Sequence, residues 1–289
     1  MHKIYAKSAL KLQQFDVKMN IGTDGIEVQL VDELLHKDRR VFANAYEDVF
    51  RIHEFDKYPV AVIHTPLVKS YFLDIEDLVE EPMCSLLEEC FRLAQHFKAS
   101  LIVHTSIYFP RFMQNSEFRR VFTNFIYRML HKYPDVTLLI ENVMPYKKNL
   151  IHLTNGYLFD NLRLCEYLRG ECKTQRVKLV LDTCHMWVAE NFLKMLGVEG
   201  DFSINRYLSE IKDYLGLIHL TDVKGMGVHP GDHGAPFDKD SKLKLYDTLH
   251  TIDGIVPDVP ITLEVYETDY LVCNGYRKTY ELIKEYYRR

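Results

Sequence analysis

Short aliphatic runs recur along this chain about every 40 residues, and each is followed by a longer segment with helical periodicity. Val136–Ile140 and Val177–Leu181 are two such runs, and the amphipathic segment Leu158–Leu168 lies between them. Strict alternation of strand and helix leads to a parallel sheet covered by helices, because parallel strands need long crossover connections and are buried on both faces. The alternation therefore predicts an α/β protein.

Eight strands are predicted along the chain. They cover Lys3–Ala6, Ile26–Leu30, Val60–Ile63, Leu101–Val103, Val136–Ile140, Val177–Leu181, Gly216–Leu220 and Ile261–Val265. Helices are predicted at Ala9–Met19, Asp77–Phe97, Glu117–His131, Leu158–Leu168, Leu243–Leu249 and Gly275–Tyr287, with two more between Met186 and Tyr214. Eight strand–helix units in 289 residues favour a single closed (β/α)8 TIM barrel over an open doubly wound sheet. No glycine-rich phosphate-binding loop follows the first strand, which also disfavours the open sheet.

Composition excludes several classes of protein. An apolar fraction of 47% is sufficient for a folded core, and no apolar run approaches the roughly 18 residues that span a bilayer. No repeat or linker divides the sequence, so we expect one domain over residues 1–289. The N-terminus lacks a signal-peptide pattern and the six cysteines are scattered, which predicts a cytoplasmic protein with reduced thiols. The net charge of −5 gives no electrostatic argument for nucleic acid.

Six consecutive predicted strands end in an ionisable side chain. These residues are His64, His104, Glu141, Asp182, His219 and Glu264, and His185 lies three residues after Asp182. The carboxyl ends of barrel strands meet at one face, so we expect these side chains to lie together. Each alone is typical of a hydrogen-bonded structural residue. Crowded together they repel one another unless a cation neutralises them, and no lysine stands at these six strand ends. They are also the side chains that bind divalent metals, so the pattern predicts a metal site.

The segment after the seventh strand, Lys224 to Phe237, carries four glycines and more polar residues. Glycine lets backbone approach a ligand closely, and this loop is expected to lie over the metals. Its candidate substrate-binding residues are Lys224, His229, Asp232 and His233. The alternative is a flexible surface loop with incidental histidines. Trp187, close behind His185, either lines the pocket or packs inside the protein.

These strand ends resemble those of the xylose-isomerase-like barrel superfamily, which includes sugar isomerases, epimerases and endonuclease IV. The most specific motif is Leu181-Asp-Thr-Cys-His185, followed by Ile218-His-Leu-Thr-Asp222. The resemblance implies a metal held by Glu141, Asp182, His219 and Glu264. In the endonuclease branch it implies two further metals. One would be held by His64, His104 and Glu141, and the other by His185 with an aspartate and a histidine of the strand-seven loop.

The chain departs from endonuclease IV at several points. Endonuclease IV typically has His-Pro-Gly at strand four and Glu-Asn-Thr at strand five, where this chain has His104-Thr-Ser and Glu141-Asn-Val. It also has an Asp-Arg-His triplet in the strand-seven loop, which is absent here. By contrast, His219-Leu-Thr-Asp-Val-Lys and the loop that follows resemble the isomerase and epimerase branch.

Two functions are consistent with these features. The first is a sugar isomerase or epimerase. One metal would stabilise an enediolate, Glu141 and Glu264 would exchange the proton, and His185 would hydrogen-bond a substrate oxygen. The alternative is a phosphodiesterase of the endonuclease IV type that acts on abasic DNA, with Glu141 bridging two of its metals. We expect one to three ions, zinc at a histidine-rich site or manganese at a carboxylate-rich one.

Overall fold

The computed structural model describes residues 1–30, 52–68, 71–72, 81–105, 107–143, 159–224, 233–235, 237 and 241–289. Eight strands in these ranges form a closed, fully parallel barrel. They are β1 Ile4–Ala9, β2 Gly25–Gln29, β3 Val60–His64, β4 Ser100–His104, β5 Leu138–Glu141, β6 Val177–Asp182, β7 Leu215–Leu220 and β8 Ile261–Leu263. Each strand pairs with its neighbours along the chain, and β8 pairs with β1 to close the ring. The predicted barrel is confirmed.

Helices connect the strands on the outside of the barrel. Within the described residues they are α1 Leu12–Ile21, α2 Glu81–Phe97, α3 Phe109–Gln114, α4 Ser116–Lys132, α5 Asp160–Cys172, α6 Thr183–Met195, α7 Ile204–Ile211, α8 Leu245–Ile255 and α9 Asn274–Arg288. Two boundaries differ clearly from the sequence prediction. Helix α5 continues to Cys172, and helix α8 runs on to Ile255. The short helix α3 was not predicted.

The apolar core has two layers because the strands are buried on both faces. One layer lies inside the barrel and contains Val62, Ile102, Leu139, Val180 and Leu217, one from each of β3 to β7. The other lies between strands and helices and includes the adjacent residues Ile63, Val103, Ile140, Leu181 and Ile218. Burial on both faces explains the near-continuous apolar runs of the sequence.

The inner layer determines where the ionisable strand ends lie. Each of its five residues is followed two positions later, on the same strand, by His64, His104, Glu141, Asp182 or His219. Residues two apart on a strand share a face, so these side chains stack directly on the inner apolar layer. The strand register places these side chains at the same height along the barrel axis, since His104 pairs with Glu141 and Asp182 pairs with His219.

The part of the strand-seven loop that the structure describes is held beside β8. Residues His233–Ala235 form a short antiparallel ladder with Asp222–Val223. Gly234 O accepts a 2.6 Å hydrogen bond from the backbone N–H of Tyr266. Gly234 has a φ of 82°, and a Cβ there would lie 3.0 Å from Tyr266 N, so glycine is required at this close approach.

All six cysteines lie in described parts of the chain, and none of them forms a disulfide. Among the helices in the described ranges, none combines the length and apolar character needed to cross a membrane.

Gly216 in β7 leaves no room for a side chain. A Cβ there would lie 2.8 Å from Leu139 Cδ2 and 3.1 Å from Lys178 Cβ. We expect Gly216→Ala to lower the free energy of unfolding by about 1–3 kcal/mol, the usual cost of overpacking, measured by equilibrium urea denaturation. The matched control is Gly170→Ala in α5, where nothing lies within 4 Å of the added Cβ. There the helix propensity of alanine should raise the free energy of unfolding by up to about 1 kcal/mol. Equal effects of the two substitutions would contradict this account.

Candidate metal centre

Ionisable side chains from all eight strands converge at the C-terminal end of the barrel. They are Lys7, Glu27, His64, His104, Glu141, Asp182 and His219, together with Glu264 just beyond β8 and His185 in the first turn of α6. The histidines, Asp182, Glu27 and Glu141 are at most 3% exposed. The side chains of Lys7 and Glu264 are 13% and 18% exposed. The cluster is therefore nearly dry and reaches solvent on the side of Lys7 and Glu264.

His219 is the centre of the first group of contacts. Its Nε2 lies 3.0 Å from Glu27 Oε2. Its Nδ1 lies 3.0 Å from Glu264 Oε2, 3.5 Å from Glu141 Oε1 and 3.8 Å from Asp182 Oδ2. A carboxylate only accepts, so Nε2–H donates to Glu27 and the lone pair of the neutral ring points from Nδ1 toward the other three carboxylates. Such an arrangement requires a cation at Nδ1, either a proton or a metal ion.

A second group of contacts surrounds the other oxygen of Glu141. His64 Nδ1–H donates to Thr65 O at 2.9 Å, so the Nε2 lone pair faces Glu141 Oε2 at 3.2 Å. His104 Nε2 lies 3.3 Å from the same oxygen, and the two imidazole rings are 4.8 Å apart. Glu141 Oε1 belongs to the first group and Oε2 to the second. The Glu141 carboxylate thus lies between two groups of ligand atoms, in a position from which it can bridge two cation sites.

His185 is fixed by the start of helix α6. Asp182 Oδ1 accepts the backbone N–H of His185 at 2.7 Å and so caps this helix. The ring Nδ1–H of His185 donates to Asn142 O at 2.7 Å, and Nδ1 also lies 3.3 Å from Glu141 Oε1. The Asn142 amide bridges back to Asp182, accepting from its backbone N–H at 2.6 Å. These hydrogen bonds hold β5, β6 and α6 in one rigid unit.

The carboxylates decide which histidines carry protons. Burial alone would lower the pKa of His219, but Glu27 and Glu141 outweigh burial and hold that pKa well above its usual range. Burial would also lower the pKa of His185, but the carboxylates of Asp182 and Glu141 outweigh burial and raise this pKa to about 9. Burial prevails at His104, where it lowers the pKa to about 4 against the effect of Glu141. Without a metal, the centre therefore holds protons on His185 and His219.

The donor set suits a divalent metal. Ligand atoms of Asp182, His219 and Glu264 lie within 4.8 Å of one another. The same holds for His64, His104 and Glu141, and for Glu141 with Asp182 and His185. Imidazole nitrogens with carboxylate oxygens bind zinc, manganese and related ions. Within the described residues the four carboxylates of the centre outnumber the Lys7 ammonium and the two protonated imidazoles, so a net negative charge favours a dication.

Lys7 and Glu27 belong to the centre but are not among the predicted site residues. The predicted first strand ends at Ala6, but β1 continues to Ala9 and places Lys7 Nζ 2.8 Å from Glu264 Oε1. No lysine stands at the six strand ends, but Lys7 enters the cluster from β1 and supplies a cation there. Glu27 lies inside the predicted second strand, between apolar neighbours that continue past it. The contact between Glu27 and Lys7 follows from strand register, since the two residues are opposite each other in the β1–β2 pair.

The other predicted residues lie around the centre or outside the described chain. Lys224 is exposed to solvent. Trp187 packs against Cys184, Val188 and Val223, which favours the packing alternative for this residue. The backbone of His233 pairs with Val223. His229 and Asp232 lie outside the described residues.

A closed parallel barrel with imidazoles and carboxylates gathered at its C-terminal end is the architecture of metal-dependent barrel enzymes. The sequence matches the family described as xylose isomerase-like TIM barrel over residues 19–286. The chain belongs to this family, as its strand-end motifs predict. No curated protein sequence matches it significantly.

Solved structures share the fold at low sequence identity. D-allulose 3-epimerase from Methylomonas sp. in complex with D-allulose is 14% identical, with a TM-score of 0.60 over 99% of this chain and 97% of that one. Endonuclease IV from Thermus thermophilus is 17% identical, with a TM-score of 0.55 over 98% and 99% of the two chains. IolI protein with a bound zinc atom is 12% identical, with a TM-score of 0.58 over 99% and 96%.

Glu27 is expected to orient His219 toward the metal. Loss of an outer carboxylate from a carboxylate–histidine–metal arrangement typically costs about 10–100-fold in metal affinity, and we expect this loss for Glu27→Gln. Competition titration of Zn²⁺ or Mn²⁺ against a chelator measures it. The control is Glu199→Gln at an exposed position. An affinity within about twofold of wild type would show that Glu27 does not act on the metal through His219.

The raised pKa of His185 predicts how the stability of the metal-free protein depends on pH. Its folded-state pKa of about 9 exceeds the ordinary value of 6.5. The protonated ring therefore stabilises the fold fully below about pH 6.5, and this contribution is lost as the pH rises through about 9. We expect urea denaturation with excess chelator to show this loss in wild type and a smaller one in His185→Asn. Parallel curves for the two proteins would rule out His185 as its source.

Proposed function

We propose that this chain is a divalent-metal-dependent isomerase or epimerase of a sugar or sugar-like hydroxycarbonyl compound. The observation that carries the proposal is the approach of two glutamates to one histidine nitrogen. Glu264 and Glu141 lie 3.0 Å and 3.5 Å from His219 Nδ1 and come from different strands. Isomerisation moves a proton to the neighbouring carbon, and epimerisation returns one to the opposite face of the same carbon; both need a base and an acid beside one carbonyl-binding position. The fold of this chain is similar to that of an epimerase in complex with D-allulose, which supports this substrate class.

The residues have separable roles in this reaction. A metal held by Glu141, Asp182, His219 and Glu264 would supply Lewis-acid polarisation of the substrate carbonyl. Glu264 is the most exposed carboxylate of the centre and contacts the Lys7 ammonium at 2.8 Å, and it accepts the proton from the carbon next to the carbonyl. Glu141 is the partner carboxylate on the buried side. His185 hydrogen-bonds a substrate oxygen.

A phosphodiesterase of the endonuclease IV type is the second candidate. His64 and His104 both face Glu141 Oε2, and this convergence supports a second cation position. Two cations bridged by a carboxylate suit hydrolysis of a phosphodiester, with abasic DNA as the substrate. The likeness in fold to endonuclease IV agrees with this alternative.

Glu264→Gln and the two histidine variants distinguish the candidates. For the isomerase we expect Glu264→Gln to reduce turnover by about 10²–10⁴-fold, the usual contribution of a general base. His64→Ala and His104→Ala should keep turnover within about tenfold, because neither residue transfers the proton. The assay is exchange of the substrate α-proton in D₂O, followed by NMR over a panel of ketoses and aldoses. Elemental analysis of each variant separates loss of metal from loss of the base.

The nuclease predicts a different result for the two histidine variants. Either histidine substitution would then abolish cleavage of an abasic duplex and lower the metal content. A wild-type protein that cleaves this duplex with Zn²⁺ or Mn²⁺, and exchanges no proton in any sugar of the panel, would overturn the isomerase proposal.

A further inference from the structure

Lys7 is a cation built into the wall of the metal centre. Its Nζ lies 2.8 Å from Glu264 Oε1 and 3.6 Å from Glu27 Oε1. Strand register dictates this position. Lys7 is opposite Glu27 in the β1–β2 pair, and the pairing of Ala6 with Leu263 brings Lys7 level with Glu264 on the other side. Since the lysine side chain is 13% exposed, it is a fixed part of the site and not a mobile surface group.

Four contacts join Lys7 to the metal ligands in a closed ring. Lys7 Nζ contacts Glu264 Oε1, and Glu264 Oε2 lies 3.0 Å from His219 Nδ1. On the other side of the imidazole, His219 Nε2 lies 3.0 Å from Glu27 Oε2. Glu27 Oε1 returns to Lys7 Nζ at 3.6 Å. The ring therefore engages both oxygens of each glutamate and both nitrogens of the histidine.

The ring gives the two oxygens of Glu264 different partners. Oε1 accepts a charge-assisted hydrogen bond from Lys7, and Oε2 faces the nitrogen that would bind the metal. A carboxylate can bind a metal through one oxygen or through both. Turning Oε1 toward the metal would break its charge-assisted hydrogen bond to Lys7. Lys7 thus favours binding through Oε2 alone.

We propose that Lys7 is a positioning residue that holds Glu264 as a one-oxygen ligand and so keeps a coordination position open for substrate. Catalytic metal sites depend on such an open position. The inference rests on the proposed function in one respect, because it needs a metal bound at Asp182, His219 and Glu264. It concerns the coordination mode, so it can be tested on the loaded protein without a substrate.

Cobalt(II) is the probe, because its visible absorption is strong with four or five ligands and weak with six. We expect Lys7→Met to lower the molar absorption of the Co²⁺ protein by at least about threefold as Glu264 binds through both oxygens. Lys7→Arg should keep the wild-type spectrum, because a guanidinium also holds one carboxylate oxygen. Lys3→Met is the control, at an exposed position just before β1. Circular dichroism checks that each variant is folded.

Three results would overturn the role of Lys7. Unchanged absorption in Lys7→Met would overturn it while leaving the proposed isomerase intact. An unchanged spectrum with tighter Co²⁺ binding would show that the ammonium competes for the metal position instead. A wild-type protein that binds no Co²⁺, Zn²⁺ or Mn²⁺ would overturn both this role and the proposed function.

Discussion

The two-residue period of the barrel strands is the constraint on which the site depends. The inner apolar layer and the ionisable strand ends belong to the same face of the same strands, two positions apart. Closing the barrel therefore brings imidazoles and carboxylates together on an apolar floor, without any loop having to carry them there. The inner apolar layer excludes water from the barrel interior beneath the ionisable side chains. The lower local dielectric constant strengthens the electrostatic contacts between them. The position and the dryness of the centre both follow from strand packing.

A buried group of this kind is costly unless its charges are matched. Each acidic residue of the centre has a defined partner: Glu27 has His219, Glu264 has Lys7, Asp182 has the start of α6, and Glu141 faces imidazoles on both sides. Purely structural cores avoid such groups, because apolar residues of similar volume fill the space at lower cost. Perturbed pKa values gathered at the open end of a barrel are instead typical of a functional site. Glu141 is central to the arrangement, since its two oxygens serve two groups of ligands.

The fold and most of the cluster could be predicted because residue type changes abruptly at the strand ends. An aliphatic run that stops at His104 or Glu141 marks both the strand and its functional end. Lys7 and Glu27 lack this signal, since they lie within strands that continue past them. Their roles depend on register and closure of the ring, which no single segment encodes. The direction of each imidazole was equally beyond prediction, because it is set by carbonyls such as Thr65 O and Asn142 O.

Asp182 belongs to two structures at once. One oxygen caps helix α6, and the other faces the nitrogen of His219 where a metal would bind. The order of the first turn of α6 and the loading of the centre are consequently linked, and linkage is reciprocal. Asp182 thus ties the position of the first turn of α6, which begins at Thr183, to the geometry of the barrel mouth.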